Sequence, residues 1–354
     1  MRILWVIGVA VAMSLPGRAQ EPSPRVVSPE VGADGRVTFR LLAPNAHDVL
    51  LTGEFMQGSR RFEKGDDGVW SVVVGPIEPE IYHYNVTIDG VRTIDPANAA
   101  VKTGSLPSTL ASILEVRGDR PAAYDTQNVP HGDVRTHWYQ STALNRVRRL
   151  TVYTPPDYDR NLQTRYPVLY LFHGANADEN AWHTLGRANA ILDNLLAAAS
   201  IKPFIVVMPF GYGIETDLIP DVLPYIEARY RALADRDHRA IVGLSMGGGQ
   251  ALSLGLNHLD LFSYIGGFSS GLGPAAAFPK TYASLVAHAP AANQRIHLLW
   301  VGCGKDDGAF AASQNFSTFL TEHGVKHTFR ETGGAHTWMV WRRYLNEISP
   351  LLFR

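Results

Sequence analysis

The stretch Ala240-Ile-Val-Gly-Leu-Ser-Met-Gly-Gly248 decides how this chain folds. Ala240-Ile-Val reads as a short apolar strand. Gly243-Leu-Ser245-Met-Gly247 fits the pattern G-x-S-x-G, and the glycine-rich run behind it opens a helix. The turn between strand and helix holds Ser245 in a strained backbone conformation, and the glycines remove side chains that would collide there. The serine hydroxyl then projects above the strand ends, where open α/β sheets bind ligands. The start of the helix favours negative charge developing beside it. A phosphate-cradling loop has a similar outline, but no lysine completes one here.

Outward from this turn, apolar strands alternate with helical stretches. Leu150-Thr-Val-Tyr153, Val168-Leu-Tyr-Leu-Phe172, Phe204-Ile-Val-Val-Met208, Phe262-Ser-Tyr-Ile265 and Ile296-His-Leu-Leu-Trp-Val301 are strand-like. Such continuous apolar runs suit strands buried on both faces, as in a parallel sheet. Helices are expected over 188–199, 222–233, 248–256 and 309–323, with a last one over 337–348. The alternation predicts a doubly wound, mostly parallel α/β layer from residue 133 to 354.

The first third of the chain has a different rhythm. Val37-Thr-Phe-Arg-Leu41, Val49-Leu-Leu51, Trp70-Ser-Val-Val-Val74 and Tyr82-His-Tyr-Asn-Val-Thr-Ile88 are rich in β-branched and aromatic residues. Asp34-Gly35, Asp67-Gly68 and Asp89-Gly90 punctuate them as hairpin turns. Residues 26–117 therefore read as a small all-β sandwich, and the Pro-, Asp- and Asn-rich residues 118–132 as a connector.

Ahead of the sandwich, Arg2, the apolar residues 3–15 and a small-residue break after Pro16-Gly17 read as a secretory signal peptide, residues 1–19. The apolar run is shorter than the roughly 20 residues that span a bilayer, so no membrane association is expected once the signal is removed. The 354 residues carry a net charge of −1, which excludes a global electrostatic pull toward nucleic acid. The single cysteine, Cys303, cannot form an internal bridge. It follows an apolar strand and is expected to be buried.

A serine hydroxyl needs a base. With a G-x-S-x-G elbow the acid and then the histidine follow along the chain. Of the later histidines, His297 falls inside an apolar strand, and His323 and His327 flank a helix-to-strand turn. His336, in Gly333-Gly-Ala-His336, lies in a flexible loop between a strand ending near Thr332 and the last helix. The acid should follow the strand ending at Val301, where Asp306 and Asp307 both qualify. Asp307 has the Gly-x-x-Asp spacing from Gly304 and is preferred. Two backbone donors for an oxyanion are expected at Met246, the residue after the serine, and at Ala175 in His173-Gly-Ala175. His173 itself is read as supporting that loop. Trp182 and Trp338 are candidates for facing a substrate ring, while Trp341 reads as a buried anchor of the last helix. Neither a metal nor an organic cofactor is needed.

Together, Leu171-Phe-His-Gly174 with Trp182, Gly243-Leu-Ser-Met-Gly-Gly248, Cys303-Gly-Lys-Asp-Asp307 and Gly333-Gly-Ala-His336 resemble carbohydrate esterase family one over residues 133–354. The group includes feruloyl and acetylxylan esterases and is similar to esterase D, enterochelin esterases and mycolyltransferases. The resemblance implies an α/β-hydrolase fold with Ser245, Asp307 and His336 as triad, Ala175 and Met246 amides as oxyanion donors, and an acylated plant cell-wall polysaccharide, such as arabinoxylan, as substrate. Tyr82-His-Tyr-Asn-Val-Thr-Ile-Asp-Gly90 followed by Asp95-Pro96 resembles an immunoglobulin-like carbohydrate-binding module of the glycogen and starch type. In it Trp70 and Tyr84 could stack on sugars, though core roles suit them better. Three other readings stay open: a siderophore esterase of the enterochelin type, a sugar acyltransferase, and a noncatalytic glycan-binding protein.

Overall fold

The computed structural model describes residues 26–354, so the expected signal peptide, residues 1–19, lies outside the described part. The first region holds two antiparallel sheets. One contains Glu30–Val31, Val37–Leu42, Val69–Val74 and Glu63–Lys64. The other is built on Val49–Gly53, Glu80–Ile88 and Ala111–Val116. Alternate side chains of both sheets share one core around Phe39, Leu51, Trp70, Tyr84 and Leu114. At Asp89-Gly90 both residues have positive φ, 46° and 84°, and Ile88 pairs with Val91. This is the two-residue hairpin that Asp-Gly favours. Trp70 and Tyr84 are core residues. The Trp70 indole N–H donates to the Ala43 carbonyl, and the Tyr84 hydroxyl donates to the buried Asp95 carboxylate at 2.7 Å.

The second region is built on one eight-stranded sheet. In chain order its strands are β1 (Asp133–Ser141), β2 (Arg146–Thr154), β3 (Val168–Phe172), β4 (Ile205–Pro209), β5 (Arg239–Leu244), β6 (Tyr264–Phe268), β7 (Leu298–Gly304) and β8 (Thr328–Thr332). The spatial order is β1-β2-β4-β3-β5-β6-β7-β8. The strands from β4 to β8 across the sheet are parallel, and β1 and β2 are antiparallel additions at one edge. Strands β3, β4, β5 and β6 are buried along their whole length. Their two faces feed separate cores, one around Tyr170, Phe172 and Ile241, the other around Leu169, Leu171 and Val242. That explains why these strands read as unbroken apolar runs.

The main helices are α1 (Ala188–Ala197), α2 (Leu223–Arg229), α3 (Met246–Asn257), α4 (Phe310–Glu322) and α5 (Trp338–Ile348). Several boundaries differ from the sequence expectation. The helix expected to reach residue 233 stops at Arg229, because the chain turns back and Ala232 bridges to Tyr166. Strand β7 runs on to Gly304 and takes Cys303 into the sheet, where burial raises its thiol pKa to about 11. His297 lies just before that strand, half-exposed and edge-on to Tyr264.

The two regions pack through α5. Met339 reaches the sandwich core, and Arg342, 1% exposed, donates to the Glu80 carboxylate, the Ile81 carbonyl and the Leu185 carbonyl. Its guanidinium also lies 4.9 Å from the Tyr124 ring centre.

Candidate active site

Strand β5 ends at Leu244, and α3 begins at Met246. Ser245 between them adopts φ +53° and ψ −120°. This unusual backbone is over-determined by its surroundings. The Ser245 N–H donates to the Phe268 carbonyl at 2.8 Å, and its own carbonyl accepts from Gly249 and Gly271. A Cβ on Gly243 would lie 2.2 Å from the Gly247 carbonyl oxygen, and one on Gly247 would lie 2.4 Å from that of His173. The glycines of the motif are thus required by close backbone approach.

The Ser245 Oγ lies 2.9 Å from His336 Nε2. The other ring nitrogen, Nδ1, lies 2.9 and 3.0 Å from the two oxygens of Asp307. The Asp307 side chain is fully buried, while that of His336 is 42% exposed, so the imidazole faces the solvent side and the carboxylate lies behind it. Burial by itself would raise the Asp307 carboxyl pKa. Hydrogen bonds from His336, the Ser269 hydroxyl and the Ala309 amide outweigh it and hold the group below the usual carboxylate range. Nδ1–H therefore points at a carboxylate, leaving Nε2 to accept the serine proton.

Asp306 plays a different part. Its Oδ2 accepts from the Gly334 N–H at 3.2 Å, and its own N–H donates to the Gly334 carbonyl. It ties down the loop that carries His336. Trp341 adds a further brace: its ring stands edge-on to the imidazole, 4.9 Å between centres, and its indole N–H donates to the Ser269 hydroxyl at 3.1 Å. Ser269, at φ +46° just past β6, has no periodic or motif signal that marks it in the sequence.

Gly174 passes directly beside Ser245, since a Cβ there would lie 3.1 Å from the Ser245 Cβ. Among the described residues, neither the Ala175 nor the Met246 N–H donates to a protein acceptor. Both remain available at the edge of the serine. His173 supports the loop: its Nε2 accepts from the Gly211 N–H at 2.8 Å, which leaves Nδ1–H to donate to the Gly174 carbonyl at 2.7 Å. Burial lowers its pKa, which keeps it neutral.

Ser245 and His336 open onto a cavity of about 140 Å³. Ala175, Trp338 and Trp341 line it from the second region, and Glu54, His83 and Lys102 line it from the sandwich. Trp182 needs correction. It is 1% exposed, lies outside the cavity lining, donates its indole N–H to the Phe172 carbonyl and stands edge-on under Trp338. It anchors Trp338 rather than meeting a ligand. The three sandwich residues escaped sequence reasoning because nothing in their local pattern announces a contact with residues so distant along the chain.

Comparisons with known proteins point to esterases. The Esterase family model matches residues 141–214 and 212–352. An endo-1,4-beta-xylanase/feruloyl esterase of Xylanibacter ruminicola is 30% identical over 346 residues, covering 92% of this chain and 46% of that protein. The chain thus spans less than half the length of this curated relative. A solved ferulic acid esterase is 28% identical with a TM-score of 0.56, covering 63% of this chain and 97% of its own. The enterobactin esterase of Shigella flexneri, 16% identical, shares the fold across 89% of this chain with a TM-score of 0.67.

Proposed function

This chain belongs to the Esterase family, and from that premise we propose that it hydrolyses feruloyl-type esters on plant cell-wall polysaccharide, with Ser245 as nucleophile. The observation that carries the proposal is the continuous hydrogen-bonded line from Ser245 Oγ through the His336 ring to Asp307.

In the proposed reaction, Ser245 Oγ attacks the ester carbonyl carbon and gives its proton to His336 Nε2. The tetrahedral oxyanion accepts hydrogen bonds from the Ala175 and Met246 amides; a single donor of this kind is typically worth about 3–4 kcal/mol. The bond to the sugar oxygen then breaks, and His336 protonates the departing alkoxide. An acyl group is left on Ser245. Water attacks it, passing a proton to His336, and the acid leaves as Ser245 recovers its proton. Asp307 keeps the imidazole in the required tautomer and balances its charge in each half.

The feruloyl preference rests on the names of relatives that share the family and on the aromatic lining at Trp338 and Trp341. Export through residues 1–19 belongs to the same reading, and the mature N-terminus determined by mass spectrometry tests it. The functional test assays the full chain on methyl ferulate, acetylated xylan and a ferric triscatecholate. Hydrolysis of methyl ferulate is expected to dominate. Ser245→Ala should lower turnover on the order of a millionfold if the triad acts as a unit. Wild-type turnover by that variant, or a clear preference for the triscatecholate, would overturn the proposal.

A further inference from the structure

The catalytic cavity has a wall that the proposed mechanism does not use. Glu54, His83 and Lys102 come from three strands or strand ends of the N-terminal sandwich and line the same space as Ser245 and His336. Two of them satisfy each other. Glu54 Oε1 lies 3.0 Å from His83 Nε2, and Glu54 Oε2 accepts from the His83 backbone N–H at 3.0 Å. Lys102 is different. Among the described residues no acceptor takes a hydrogen bond from its Nζ, and no carboxylate lies within 4.0 Å of it. Burial lowers its pKa, with the charge of Glu54 acting against that shift. An ammonium with three unspent donors thus faces a cavity that already holds a nucleophile and its base.

The lining narrows what that ammonium meets. Trp338 and Trp341 offer aromatic surface on the same wall as Ser245 and His336, and Lys102 a polar end, a combination that suits an aromatic ring carrying a hydroxyl. We propose that Lys102 is a specificity-determining residue, donating a hydrogen bond from the sandwich to the ring hydroxyl oxygen of a hydroxycinnamoyl group whose ester carbonyl lies at Ser245. The sandwich is then part of the acyl-binding site. This inference rests on the feruloyl-ester reading and adds the group that recognises the acyl ring.

The experiment compares methyl ferulate, methyl 4-hydroxycinnamate and methyl cinnamate, which lacks the ring hydroxyl, on the full-length wild type and on Lys102→Met and Lys102→Arg. The wild type should favour the 4-hydroxy esters over methyl cinnamate by about 10- to 100-fold in kcat/KM, the range of a hydrogen bond to a charged group. In Lys102→Met that ratio should collapse toward one, and Lys102→Arg should restore part of it. Thermal unfolding midpoints show that the variants are folded. A ratio unchanged in Lys102→Met overturns the inference while the feruloyl reading stands. Equal losses on all three esters also overturn it, since they make Lys102 a support for the wall. A wild type that cleaves acetyl esters and none of the three cinnamates overturns both readings together.

Discussion

Asp306 and Asp307 are adjacent carboxylates with separate tasks, and the separation is measurable. Asp307 is buried against the imidazole, while Asp306 holds the backbone of Gly334. Asp307→Asn presents an amide where Nδ1–H needs an acceptor and should lower kcat by roughly 10³- to 10⁴-fold. Asp306→Ala removes one exposed hydrogen bond and should cost less than about tenfold. Steady-state kinetics on methyl ferulate separates the two. The pH dependence of stability follows from the lowered Asp307 pKa. A carboxyl favoured in its charged form by folding contributes stability above its unfolded value, near 3.9, and loses it as pH falls through the lower folded value. The wild-type advantage in unfolding midpoint over Asp307→Asn should therefore be level from pH 5 upward and narrow below about pH 4. Differential scanning calorimetry across that range measures it.

Elements meet at the site through backbone contact, and one glycine shows how tightly. The end of β7 and the loop before α5 are zipped together by Lys305 N–H to the Thr332 carbonyl and Asp306 N–H to the Gly334 carbonyl. A Cβ on Gly304 would lie 2.0 Å from the Gly334 carbonyl oxygen, so Gly304→Ala must push the His336 loop away. Displacements of about 1 Å at a catalytic group cost on the order of 100-fold. The expected result is a kcat loss of that size, with fluorophosphonate labelling of Ser245 slowed in parallel. These elements were largely legible beforehand. Strands β3 to β7 announce themselves because burial on both faces demands continuous apolar runs, and His336 stands out by chain order and its glycine-rich loop. Strand β1 was not legible: as an exposed edge, Asp-Val-Arg-Thr-His-Trp-Tyr-Gln-Ser carries too little apolar pattern. The short helices Phe278–Thr281, Ala283–Ala287 and Ala289–Arg295 were missed because none is long enough for a 3.6-residue stripe. Asp221 accepts from Thr142 Oγ1 and the Ala143 N–H, holding the turn between β1 and β2, a contact across the chain that local pattern does not show.

At the scale of the molecule, the cavity needs both regions at once, a dependence that no local pattern could reveal. The sandwich segment around Lys102 also rests on the loop bearing Ala175: Thr103 Oγ1 donates to Asp178, and a Cβ on Gly104 would lie 2.4 Å from the Asn176 carbonyl oxygen. The bond that secures this docking from the far side is Arg342 to Glu80. Arg342 is nearly inaccessible, so removing it leaves a largely buried carboxylate and two carbonyls without their donor. Breaking such a pair costs about 3–5 kcal/mol. If the two regions unfold as one unit, Arg342→Met should lower the single unfolding midpoint by roughly 4–7 °C. If Arg342 is what couples them, calorimetry should instead show two transitions where the wild type shows one. Either outcome should come with a raised KM for methyl ferulate, because the wall carrying Lys102 loses its register with Ser245. A midpoint and KM equal to those of the wild type would mean that the docking is held without Arg342, by contacts such as Met339 in the sandwich core, Thr103 to Asp178 and Arg187 to Glu115.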